Sequence, residues 1–118
     1  MEDKVFKSRV DPRVQTFVKV TFKEEKSTET IKNGIITNFS RSGLFIKAAS
    51  IIAVHSTIII DAFLPEETTP LHFVGEVMNV VEDKTGEGGM GIKIFEDQIS
   101  VKDKERVEEF FDLNHIYG

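Results

Sequence analysis

The chain has 118 residues and no cysteine, with 40% apolar residues, 30% charged residues and a formal net charge of -5. That length supports one domain with a hydrophobic core and is too short for two that fold independently; the composition excludes a disordered or fibrous chain. Without cysteine there are no disulfides or thiolate metal sites, and the negative charge argues against a nucleic-acid polymer, whose binding needs an extended basic surface.

The first residues, MEDKVFKSR, are charged rather than apolar, which excludes a secretory signal, and no apolar run approaches the length of a bilayer span. No membrane insertion is expected, and the cytoplasm is the expected compartment. Residues 1–13 read as a flexible leader ahead of a domain over 14–118. Within the leader, Arg9 and Arg13 stand four apart in RVDPR, with Lys4 and Lys7 before them and only Asp11 opposing. Arginine offers a planar fork of donors that matches phosphate oxygens and the O6/N7 edge of guanine, and its flat face stacks on a base.

From Val14 to Phe22, apolar Val18, Val20 and Phe22 alternate with Lys19 and Thr21, the pattern of a strand with one buried face. After the polar turn KEEKSTET, IKNGIITNF reads as a second strand, with Gly34 marking a bulge or bend. LFIKA is a short third strand. TIIIDAFL is a fourth, whose nearly continuous apolar character predicts a buried strand that stops at Pro65. LHFVGEVMNVVE is a long fifth strand with a bulge or bend expected at Gly75, and DKTGEGG turns the chain into a sixth, GMGIKIF. The period then changes. Ser100 followed by Asp103 resembles a capping box, and Val107, Phe110, Phe111 and Asn114 trace a helical stripe, so a helix over about 100–114 should pack on the strands. Six short-connected strands and this helix predict an all-β fold, a small antiparallel barrel or sandwich with a C-terminal helix.

The second strand ends in NFSRSG. Asn38 carries a side-chain carbonyl that accepts hydrogen bonds, Ser40 carries a hydroxyl that donates or accepts, and Gly43 would let the chain turn with positive φ and leave room for a ligand. Arg41, inside the same string, is a secondary candidate for a phosphate contact. His55, His72 and His115 lack metal-ligand spacing, so no metal site is expected. There is no cysteine nucleophile or GxSxG elbow, and TGEGGMG joins two strands without the helix a phosphate-binding loop requires, so an enzyme is not expected.

The order RxxxR, strand and hairpin, then [DN]xSxxG at the end of the next strand, followed by a β-rich remainder and a terminal helix, resembles the PilZ domain over nearly the whole chain. Arg9 and Arg13 match the first motif; Asn38, Ser40 and Gly43 match the fixed positions of the second. The resemblance implies a six-stranded antiparallel β-barrel and a bacterial receptor for cyclic di-GMP, with no resident cofactor. It implies that Arg9 and Arg13 contact the guanine Hoogsteen edge and phosphates, Asn38 accepts from guanine N1 or N2, and Ser40 donates to a base or phosphate. Many members carry aspartate where this chain has Asn38, and a neutral acceptor pairs more weakly than a carboxylate. Ligand would fold the leader onto the barrel, and the signal would pass to a downstream protein. Two other readings fit less well: a degenerate PilZ-like protein-interaction module, and an unrelated small barrel for single-stranded nucleic acid or oligosaccharide.

Overall fold

The computed structural model describes residues 14–27, 31–65, 67–82 and 88–114. Six strands follow in chain order: β1 (Val14–Glu24), β2 (Lys32–Phe39), β3 (Gly43–Ala48), β4 (Thr57–Phe63), β5 (Leu71–Glu82) and β6 (Gly88–Ile94). A single 3-10 turn over Glu96–Gln98 leads into helix α1 (Val101–Asn114). The strands pair in the order β1-β2-β3-β6-β5-β4, every pair antiparallel, and β1 pairs with β4 to close the barrel. The all-β expectation therefore resolves as a barrel and not a sandwich.

Alternation builds the core. Val18, Val20 and Phe22 of β1 point inward with Ile36, Ile46, Ile58, Ile60, Phe73, Val77, Met90 and Ile92, and burial of such side chains is the main favourable contribution to folding. β4 departs from the expected strand buried on both faces. Ile58, Ile60 and Ala62 are fully buried, but Thr57, Ile59 and Asp61 are half-buried and Phe63 is exposed, because one face of a barrel strand meets solvent.

The helix plugs one end. Phe110 and Phe111 meet Phe39 at ring-centroid distances of 5.8 and 5.1 Å, and Phe39 meets Phe73 edge-on at 5.7 Å. The expected capping box is only half formed. The Asp103 amide donates to Ser100 Oγ at 3.1 Å, as an N-cap requires, but the shorter Asp103 carboxylate does not reach back to the cap. It accepts instead from the His72 amide on β5 at 3.1 Å and from Arg106 at 3.0 Å. Arg106 in turn donates to Glu67, to the Thr69 carbonyl and to the Pro70 carbonyl at 3.3 Å, pinning the β4–β5 loop against the helix.

The bulges also fall elsewhere than expected. Pairing runs without interruption past Gly34 and Gly75, where the missing side chain permits close packing: a Cβ would stand 2.7 Å from Ile46 Cγ2 at Gly34 and 2.6 Å from the Lys93 carbonyl oxygen at Gly75. Register shifts lie between Gln15 and Val18, between Ile36 and Asn38, and between Val77 and Asn79.

Candidate ligand site

The bulge in β2 is what presents Asn38. Ile36 pairs with Ile46 and Asn38 with Phe45, so Thr37 is one residue too many for the partner strand. Simple alternation from buried Ile36 would turn Asn38 inward. With the extra residue, Thr37 and Asn38 are both half-exposed and Phe39 returns to the core, an instance of a bulge re-aiming a side chain. Thr16, inside the facing irregularity of β1, donates through Oγ1 to the Ile36 carbonyl at 2.8 Å and so helps hold the distorted pair.

Cross-strand register carries the face onward. Asn38 stands beside Phe45, Phe45 beside Gly91, and Gly91 beside Asn79, while Lys47 of the next row stands beside Gly89. Two of these glycines keep the surface low. A Cβ on Gly89 would fall 2.2 Å from Cζ of Phe45, and one on Gly91 would fall 2.6 Å from Oδ1 of Asn79, so the ring and the amide each lie over a glycine. Asn38, Phe45, Lys47, Gly88 and Gly89 line an open groove of about 350 Å³ with Thr37 and Val81 at its sides. The groove combines a ring, a cation and an amide, the complement of a flat, polar, anionic molecule.

The turn after Asn38 holds itself together. The Ser40 amide donates to the Gly43 carbonyl at 2.8 Å, Ser40 Oγ lies 3.1 Å from the same carbonyl, and the Gly43 amide donates back to Oγ at 3.2 Å. Ser40 is 4% exposed and its hydroxyl is engaged inside the turn. Gly43 does not adopt the positive φ expected of it. Glycine is required there because a Cβ would stand 2.8 Å from the Ile92 carbonyl oxygen of the neighbouring strand.

Arg41 faces away from the groove toward α1. Its Nε and Nη2 donate to the two carboxylate oxygens of Glu108 at 2.5 and 2.6 Å, and its guanidinium carbon sits 5.4 Å from the centre of the Phe111 ring. This fork-to-fork hydrogen bonding holds the Glu108 carboxyl below its ordinary value of 4.5, with partial burial opposing the shift. Beneath the pair lies a second, smaller cavity of about 250 Å³, lined by Glu96, Ile99, Lys104 and Val107.

Arg9 and Arg13, and the leader boundary at residue 13, lie outside the described residues, as does His115. The register does show where the described chain begins. Val14 pairs with Phe39 and Gln15 with Asn38, so the first described residue stands beside the second motif. His55, in the turn before β4, and His72, near the start of β5, bond to Glu76 at 3.2 Å and Asp61 at 3.0 Å, respectively. The sequence reading missed Phe45, Lys47, Gly89 and Asn79. The alternation of Gly89 and Gly91 with inward Met90 and Ile92 is a period-two signal that could have marked an outer face over which neighbouring side chains lie.

No curated protein sequence matches the chain. Among solved structures, the inhibitor of motility MotI/DgrA of Bacillus subtilis superposes with a TM-score of 0.72 at 18% identity, covering 92% of this chain and 51% of that one. The chain thus spans about half the length of MotI/DgrA. The PilZ domain of YcgR from Escherichia coli, determined with c-di-GMP, superposes with a TM-score of 0.69 at 8% identity, covering 91% of both chains. These likenesses support the barrel fold, and no described helix is long and apolar enough to cross a membrane. The model of the PilZ domain matches residues 7–113, from the leader through the barrel and nearly to the end of its helix, and the chain belongs to that family.

Proposed function

We propose that the protein is a cyclic di-GMP receptor that binds the nucleotide across the groove beside Asn38 and passes the signal to another protein, without catalysing a reaction. The observation that carries this reading is the pairing of Val14 with Phe39 and Gln15 with Asn38. Arg13 precedes Val14 in the sequence, and in this reading the arginine motif reaches the groove from that end of β1. Membership of the PilZ family and the nucleotide named with the YcgR domain support the choice of ligand.

In this proposal Arg9 and Arg13 grip the guanine edges and phosphates, and at least one stacks on a base, an attraction worth about 1–3 kcal/mol per base. Asn38 accepts from guanine N1 or N2. Phe45, seated over Gly89, receives the flat face of the ligand, and Lys47 offsets phosphate charge. Ser40 acts by fixing the turn that aims Asn38, since its hydroxyl is already used there. Arg41 ties that turn to α1 and so links the groove to the helix. Ordering of the leader on ligand binding changes the surface that a downstream protein reads, because a ligand shifts a population through contacts that differ between its states.

Titration calorimetry with cyclic di-GMP tests the reading. Binding to the intact chain is expected, with Arg9→Ala and Arg13→Ala each weakening it at least tenfold, about 1.4 kcal/mol, at unchanged circular dichroism. Absence of heat with well-folded protein would refute it. A second reading, a PilZ module that binds protein and no nucleotide, draws on one observation: Ser40 and Arg41 are both engaged by the protein's own groups. Calorimetric silence combined with retained fold would select it.

A further inference from the structure

We propose that the base held beside Asn38 is read as a purine of either kind, so that a cyclic dinucleotide of one guanosine and one adenosine is a ligand of this protein alongside cyclic di-GMP. This breadth rests on the nucleotide reading above and goes beyond it. Register sets an amide on each side of Phe45. Asn38 of β2 pairs with Phe45 of β3; on the other side Phe45 pairs with Gly91 of β6, over which the Asn79 amide of β5 lies. Phe45 is half-buried, with the tip of its ring above Gly89. Residues directly opposite on neighbouring strands hold their Cβ atoms about 4.5–5.5 Å apart, so a base stacked on the Phe45 ring turns an edge toward Asn38.

Both amides are uncommitted. Among the described residues, neither the Asn38 nor the Asn79 side chain makes a hydrogen bond, and none of the described residues lining the groove is acidic. An amide sets a carbonyl that accepts beside an NH2 group that donates. Guanine presents a donor at N1 and an acceptor at O6, whereas adenine presents an acceptor at N1 and a donor at N6. The two edges are the reverse of each other. Half a turn of the Asn38 amide converts the complement of one into the complement of the other, and because no neighbour fixes the amide, that turn breaks no hydrogen bond. A carboxylate at this position would behave differently. It only accepts, so it pairs with N1 and N2 of guanine but sets an oxygen against the lone pair on adenine N1, the repulsive element from which selectivity is built. Asn38 lacks that element.

The arginine motif limits the breadth. In the nucleotide reading an arginine fork donates to O6 and N7 of guanine, and adenine would turn its own N6 donor toward that fork. One base therefore stays guanine, and the other, at Asn38, is free to vary.

Calorimetric titration of the whole chain with cyclic di-GMP, with the hybrid cyclic GMP-AMP of the same linkage and with cyclic di-AMP tests this directly. The hybrid should bind within about tenfold of cyclic di-GMP, and cyclic di-AMP at least about tenfold more weakly than the hybrid, in keeping with the loss of one bidentate base contact. Asn38→Asp, at unchanged circular dichroism, should widen the preference for cyclic di-GMP over the hybrid by at least about tenfold. Cyclic di-GMP that binds while the hybrid binds more than about tenfold weaker overturns the inference and leaves the receptor reading standing. An unchanged preference in Asn38→Asp overturns it in the same way, because Asn38 would then not be the reader. Cyclic di-AMP that matches the hybrid also overturns it, since no guanine would be required. Silence toward all three ligands from well-folded protein removes the receptor reading itself, and this breadth with it.

Discussion

Gly43 is where the site's architecture depends on the absence of a single atom. The carbonyl oxygen 2.8 Å from its missing Cβ belongs to the backbone of β6, which has no free side chain to move aside. Gly43→Ala should therefore cost about 1–3 kcal/mol, as overpacking does, and should lower the melting temperature seen by circular dichroism even without ligand. Arg41 presents the opposite case, a long side chain in a bidentate pair whose two members are 37% and 48% exposed. Pairs so open to water contribute about 0.2–1 kcal/mol. Because the Glu108 carboxyl titrates below its unfolded value of 4.5, the pair's contribution is present above that pH and is lost as pH falls through the lower, folded value. The melting temperature of Arg41→Ala should lie slightly below wild type at about pH 7 and converge with it in acid, once pH has fallen through the depressed Glu108 value.

Helix α1 makes the strongest case at the level of elements. Phe111 is 2% exposed and packs edge-on against Phe39, the residue that follows Asn38 in β2. Phe111→Ala should cost about 3–5 kcal/mol through lost burial and the cavity left behind. Chemical denaturation should report that loss, and a change under about 1 kcal/mol would contradict the packing described. β1 was legible in the sequence because inward Val18, Val20 and Phe22 keep a period of two against polar neighbours, whereas the apolar run of β4 revealed a strand but not which of its faces meets solvent. The bulges were not legible. A bulge is an extra residue of ordinary type, here Thr37 or Met78, and its effect is visible only against a partner strand, whereas the glycines that drew attention serve close packing. The same limit hid half of the groove. Asn38, Ser40 and Gly43 sit in one string, but Phe45, Gly89 and Asn79 join Asn38 only through register. Asp103 was assigned to a cap from its spacing, and a longer-range partner on β5 claimed its carboxylate instead.

For the molecule as a whole, barrel and helix share one buried cluster, in which Phe39 and Phe73 of the barrel meet Phe110 and Phe111 of α1. Heating should therefore melt both together. Far- and near-ultraviolet circular dichroism are expected to give coincident transitions, and an early loss of helical signal would show that α1 is a separate unit. Charge is unevenly distributed over this body, with lysines on the outer face of β1 and carboxylates along the solvent face of α1, so the net value of -5 conceals opposite local fields. Closure of β1 onto β4 has a further effect on how such a protein is recognised. An open sheet offers a row of unpaired amides and carbonyls to which almost any extended peptide can add itself as another strand. Here that row is consumed within the barrel. What the barrel offers for recognition is the pattern of side chains on its outside.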